Sequence, residues 1–167
     1  TIVEIAPDNR ISGGVTFDLE DIDAAFEELE ARYLAGEAAP YAEAWSVISG
    51  AYAAFNRREM FPTTTDLVSL DHRRGAAAFA PGDLITYIRA AWNQIPNITL
   101  RIEAVHRLTN LGAVYTQVLK GASKDGFAAE WRIVGVMTVE GTLVNRAEIF
   151  DETDLDTSEP SALLGIA

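Results

Sequence analysis

Apolar positions along this chain of 167 residues change period part-way, from helical spacing in the first half to strand alternation in the second. From Asp18 onward, Ile22, Ala25, Phe26, Leu29 and Tyr33 recur at helical spacing. Asp18, Glu20, Asp21 and Asp23 sit where the positive end of a helix dipole favours acids, and Gly36 supplies a stop, so a first helix is predicted there. After Pro40, the stripe Tyr41, Ala44, Trp45, Ile48, Tyr52 and Phe55 predicts a second, longer helix ending near Arg58, with Gly50 inside it as a candidate close-packing point. Asp66 to Arg73 reads as a short strand. Pro81 to Asn93 reads as a helix with Leu84, Ile85, Ile88 and Trp92 on one side, ended by Pro96.

Beyond that the pattern is sheet. Ile98, Leu100, Ile102, Ala104, His106 and Leu108 alternate with Thr99, Arg101, Glu103 and Arg107, as in a strand with one buried face. Ala113 to Lys120, Phe127 to Glu140 and Leu143 to Phe150 follow, joined by turn signals at Asn110, Lys124-Asp125-Gly126 and Glu140-Gly141. Helix, helix, strand, helix and a four-strand meander is an α+β order, and the expected fold class is a curved antiparallel sheet wrapped round helices. Residues 1–40 are expected to be an irregular lead-in (1–16, with Pro7, Asn9, Ser12 and Gly13-Gly14) plus the acidic helix. Residues 41–156 form the main domain, and 157–167 a flexible tail.

A faint echo links Phe17-Asp18-Leu19-Glu20-Asp21-Ile22-Asp23 with Phe150-Asp151-Glu152-Thr153-Asp154-Leu155-Asp156. Two acidic helix starts explain it. The sharper alternative makes residues 1–36 the tail of a preceding similar unit, and the chain a module of a larger protein.

Composition narrows the function classes. At 49% apolar and 23% charged residues the chain has material for one core. With no cysteine, disulfides, thiolate zinc sites, iron–sulfur clusters and thiol catalysis are excluded. The net charge of −12 is concentrated at the ends: residues 17–43 carry nine acids against Arg32 alone, and 148–159 carry six acids and no base. Residues 44–147, with eleven bases and eight acids, are mildly basic, and no basic run exceeds the pairs Arg57-Arg58 and Arg73-Arg74, so nucleic acid is not an expected partner. Neither is a membrane, because the longest uncharged stretch, Ala44 to Asn56, is too short to span one. Thr1 to Gly14 lacks a basic and apolar leader, and a cytoplasmic location is expected.

The element order, with the segments Ala51-Tyr52-Ala53-Ala54-Phe55-Asn56-Arg57-Arg58, Asp66-Leu67-Val68-Ser69-Leu70-Asp71 and Gly82-Asp83-Leu84-Ile85-Thr86-Tyr87, resembles the nuclear transport factor 2-like superfamily, which includes the SnoaL-like cyclases. The resemblance covers residues 41–152 and implies a cone: a bent sheet around helices, with a pocket in its mouth. It also implies either a cofactor-free isomerase, dehydratase or cyclase, or a non-catalytic binding or dimerising module. From the ketosteroid isomerase branch it carries over Tyr52 as hydrogen-bond donor to a substrate oxygen and Asp71 as the proton-moving carboxylate. The branch's second oxyanion donor, a protonated aspartate, aligns with Gly135 and is missing. The epoxide hydrolase branch fits less well, since Val118 and Lys120 stand where its strand has Arg and Asp, with Glu148 left as the other carboxylate.

The residues themselves leave alternatives open. Tyr52 is either a core tyrosine or a donor, and Asp71 either an ion-pair partner of Arg73 or Arg74 or a base. Asp71 and His72 point to opposite faces of a regular strand, so at most one enters the cone. His106, on the apolar face with Ile102 and Leu108, is a satisfied histidine or a pocket base. A metal site is not expected, because no His-x-x-x-His or His-Glu-x-x-His spacing exists. Trp45, Trp92 and Trp131, with Glu148, are candidate ligand-binding residues if the rings converge on the cone. The expected function is thus a module for a small apolar or aromatic ligand, paired as a homodimer through the sheet and needing no cofactor. The alternative is an acid/base enzyme using Tyr52 and Asp71, with His72, His106 or Glu148 as auxiliaries.

Overall fold

The computed structural model describes residues 1–74, 79–122 and 128–153. The expected turn at Lys124-Asp125-Gly126, the tail at 157–167 and most of the second acidic echo lie outside the described residues. The chain divides into two compact units, Thr1–Ala42 and Glu43–Ala167.

The first unit corrects the expectation of an irregular lead-in. Strands β1 (Ile2–Ile5) and β2 (Ile11–Val15) form an antiparallel hairpin, pairing Ile2 with Val15 and Val3 with Gly14. Its turn takes Asn9 into the left-handed region, at φ 61°, where asparagine is one of the few tolerated side chains. The Asp8 carboxylate closes the same turn by accepting from the Arg10 backbone and guanidinium. Helix α1 (Ile22–Ala35) follows, and its Arg32 pairs with Glu28 one turn back and with Glu4 of β1.

The second unit carries the sheet. Helix α2 (Ala42–Asn56) buries Ala44, Trp45, Ile48, Tyr52 and Phe55 of the stripe read from the sequence, and Ala51 and Ala54 beside them, while Tyr41 precedes the helix and is only half-buried. Strand β3 (Thr63–Asp71) starts before the expected Asp66 and ends before His72. Then come α3 (Leu84–Gln94), β4 (Thr99–Thr109), β5 (Gly112–Ala122), β6 (Ala128–Glu140) and β7 (Leu143–Asp151). The sheet order is β3-β7-β6-β5-β4. Three antiparallel pairings make up the meander, but β3 runs parallel to β7, so the sheet is mixed rather than wholly antiparallel. β7 ends the meander with one edge unpaired, and β3 satisfies those backbone groups from a distant part of the chain.

The inward row of the sheet packs on the helices. Ala113, Tyr115, Met137, Val144 and Ala147 share one core with Ile48, Tyr52 and Phe55 of α2 and with Leu84 and Ile88 of α3. On the opposite face Val114, Val134 and Val136 form a separate cluster with Phe150. Asn56 clamps the edge strand to α2: its side-chain amide donates to the Leu100 carbonyl at 2.9 Å, and its oxygen accepts from the Leu100 N–H at 2.8 Å. Among the described residues, no helix is long and apolar enough to cross a membrane.

Gly50 is not a close-packing point. Among the described residues, a Cβ placed there meets nothing within 4 Å. The glycine therefore costs helix stability with no packing return, and Gly50→Ala should stabilise the domain by about 0.5–1 kcal/mol, read as a raised urea midpoint.

Candidate functional site

A cavity of about 70 Å³ lies between the inward row of the sheet and the helices. From the helix side it is lined by Tyr52 and Phe55 of α2 and by Leu84, Tyr87 and Ile88 of α3. From the sheet come Tyr115, Gln117 and Leu119 of β5, and Ile133, Gly135 and Met137 of β6. Alternation delivers these side chains, because residues 115, 117 and 119 share one face of β5, and 133, 135 and 137 one face of β6.

Three polar side chains meet in these apolar walls. The Tyr52 phenol donates to Oε1 of Gln117, and the Tyr52 and Tyr115 rings meet edge-on with centroids 5.6 Å apart. Burial pushes the Tyr52 phenol well above its ordinary range, and Tyr115 adds to that. Burial raises Tyr115 too, partly offset by its hydrogen bond with Tyr52. Both phenols therefore stay neutral donors. The Gln117 amide nitrogen has no protein partner among the described residues, which leaves its N–H groups for an occupant. Gly135 lies under the Tyr115 ring, and a Cβ there would overlap it. The position that lacks the expected aspartate thus makes room for a tyrosine. Tyr115 and Gln117 were missed in the sequence. The available signal was Gln117 itself, a polar residue in an otherwise apolar inward row.

Asp71 shares the inward parity of β3 but is not among the residues lining the cavity. Its side chain is fully buried and accepts from the Arg73 guanidinium at 2.6 and 2.9 Å, from the Arg73 backbone at 3.0 Å and from the Phe79 N–H at 3.1 Å. Burial alone would raise the carboxyl, but these hydrogen bonds prevail and hold it below its ordinary 3.8. Arg73 in turn lies against Tyr87, its guanidinium 5.7 Å from the ring centroid.

The remaining candidates are dispersed. His72 points to the other face, stacked on Phe150 with centroids 4.3 Å apart, and its Nε2 is 2.6 Å from Glu148. Glu148 borders the cavity but alternates with Ala147 and Ile149 of the core, and its carboxylate is engaged by Arg146 and His72. His106 is exposed and bonded to Thr116 at 2.8 Å, away from the face of Ile102 and Leu108 where simple alternation put it. The reason is two register shifts in β4, between Ile102 and Ala104 and between Val105 and Arg107, each of which resets the alternation. Trp45 is buried in α2, Trp92 packs on Phe55 with centroids 5.5 Å apart, and Trp131 is 45% exposed. None of the three lines this cavity. Among the described residues no cluster of His, Asp and Glu could hold a metal.

The Asp71 carboxylate is more acidic folded than unfolded, so its contribution to stability is present above its ordinary value and lost as pH falls through the lowered folded value. Urea unfolding of the wild type should weaken steeply below about pH 4. Asp71→Asn should cost about 3 kcal/mol at neutral pH and flatten that acid dependence.

No protein-family model matches the chain, and no curated protein does. Solved structures do match. A putative polyketide cyclase from Streptomyces antibioticus is similar with a TM-score of 0.55 at 17% identity, over 74% of this chain and 99% of that one. A nuclear transport factor 2-like protein from Burkholderia thailandensis gives 0.54 at 16%, over 69% and 95%. A ketosteroid isomerase from Mycobacterium sp. gives 0.52 at 13%, over 67% and 95%. At such identities the likeness is one of architecture. With its curved mixed sheet folded over α2 and α3, the chain has the nuclear transport factor 2-like α+β fold.

Proposed function

We propose that this chain is a small-molecule-binding module whose cavity takes an apolar body carrying one uncharged oxygen. The observation that supports it is the meeting of three uncharged hydrogen-bonding side chains, Tyr52, Tyr115 and Gln117, in apolar walls. Because Tyr52 donates to the Gln117 oxygen and Tyr115 is hydrogen-bonded to Tyr52, the Gln117 N–H groups remain to serve a carbonyl or hydroxyl of the ligand. The carboxylates are occupied elsewhere: Asp71 by Arg73, and Glu148 by Arg146 and His72. That arrangement favours holding a ligand over moving a proton.

The second reading is a cofactor-free isomerase or cyclase. It is favoured by the similar fold of a ketosteroid isomerase and a putative polyketide cyclase, and by two neutral phenols suited to an enolate oxygen. It requires Asp71 to exchange Arg73 for the substrate.

Native mass spectrometry, followed by thermal-shift measurement with small ketones and phenols, tests the binding reading and reports the oligomeric state as well. Bound ligand should raise the melting temperature, and Gln117→Leu should weaken binding about tenfold by removing the free donors. A protein that neither retains nor responds to any of these compounds would refute the module. Deuterium exchange at the carbon next to the carbonyl of a bound ketone separates the two readings: a binding module gives none, whereas exchange abolished in Asp71→Asn would establish the enzyme.

A further inference from the structure

The cavity between sheet and helices is smaller than its likeness to ligand-binding cones suggests. At about 70 Å³ it is about half the size of dry protein cavities that take up a benzene ring, about 150 Å³. A ligand of more than a few heavy atoms therefore extends beyond it. A second, larger cavity of about 340 Å³ is lined by residues just beyond the end of β3, at the end of β7 and near the start of β6. Ile133 lines both cavities, and Arg73, which lines the second, touches Tyr87, which lines the first.

The second cavity differs in chemistry. It gathers three guanidinium groups, Arg73, Arg74 and Arg132, against the carboxylates of Glu130 and Asp151. Most of these charges are committed. Arg73 grips Asp71, Arg132 bonds to Glu103 and Glu130, and Glu130 also takes Lys120 at 2.6 Å. Asp151 accepts the Arg74 backbone N–H at 3.0 Å. The guanidinium of Arg74 has no partner among the described residues, and that side chain is exposed. Beside it in the same cavity lies Trp131, a residue 45% exposed in a domain that buries most of its large apolar groups.

From this we infer that the second cavity is the binding site for a carboxylate at the far end of the same ligand, with Arg74 gripping the carboxylate and Trp131 covering the apolar stem that leads to it. A planar guanidinium fork matches a carboxylate with two parallel hydrogen bonds, and a half-exposed tryptophan beside it supplies apolar surface for the stem. The ligand class is then an apolar carboxylic acid with an uncharged oxygen at its opposite end, a keto acid or a hydroxyaryl acid. This inference rests on the binding reading of the inner cavity.

The test is calorimetric titration of hydroxyphenylbutyrate and its primary amide into wild type, Arg74→Gln and Gln117→Leu. The acid should bind wild type about tenfold more tightly than the amide, with an advantage that shrinks as salt is raised. Arg74→Gln should bring the acid to the level of the amide, while Gln117→Leu should weaken both alike. Equal binding of acid and amide to wild type, or an acid preference that survives Arg74→Gln, would overturn the carboxylate site and leave the binding module standing. If neither probe binds wild type, the module falls and the carboxylate site with it.

Discussion

The hydrogen bond from the Tyr52 phenol to Gln117 is the constraint on which the inner architecture depends. It joins α2 to β5 across an apolar interior, where a hydroxyl or amide without a partner costs about 1–3 kcal/mol. The bond needs the phenol and the amide oxygen within hydrogen-bonding distance, so the pair constrains position where the surrounding apolar contacts constrain only proximity. Tyr115 fits edge-on against Tyr52 because Gly135 on the neighbouring strand has no side chain to exclude its ring. A tie of this kind also determines the chemistry of the cavity: its polar groups are neutral, and burial keeps both phenols protonated.

The end of β3 sorts the charged groups to opposite sides. Asp71 and His72 are successive residues, and the pleat sends one to Arg73 and Tyr87 and the other to Glu148 and Phe150. Arg73, two residues beyond Asp71, folds back on it and completes the carboxylate's hydrogen bonding together with the Phe79 N–H. A carboxylate so fully satisfied is a structural anchor for the segment that follows the strand. It also holds Arg73, which lines the arginine-rich cavity, against Tyr87, which lines the apolar one. The two cavities thus differ in character for a local reason: one is walled by the inward rows of the sheet, the other by strand ends where polar residues face water.

Periodicity made the helices and most strands legible. The stripe from Ala44 to Phe55 became the buried face of α2, and the alternation after Ile98 became the meander. Short-range signals failed where pairing mattered more than pattern. The hairpin at Ile2–Val15 was hidden because its turn residues and glycines read as irregular, and β4 carries two register shifts that moved His106 off the face simple counting gave it. Of the candidate site, Tyr52 was legible from its place on the stripe; Tyr115 and Gln117 look like ordinary strand residues until β5 is placed opposite α2.

What the sequence by itself determined was therefore the α+β order, the faces that must be buried, the exclusion of thiol chemistry and the neutrality of the groups on the α2 stripe, since all of these follow from residue type and spacing along the chain. Only the tertiary structure decided that β3 lies parallel to β7, that Asp71 is taken up by Arg73 while Tyr52 finds Gln117, and that the three tryptophans lie apart from the inner cavity. These outcomes depend on contacts between residues as far apart as Tyr52 and Gln117, or His72 and Glu148. Such contacts are set by how strands align and where alternation slips, which local spacing does not encode.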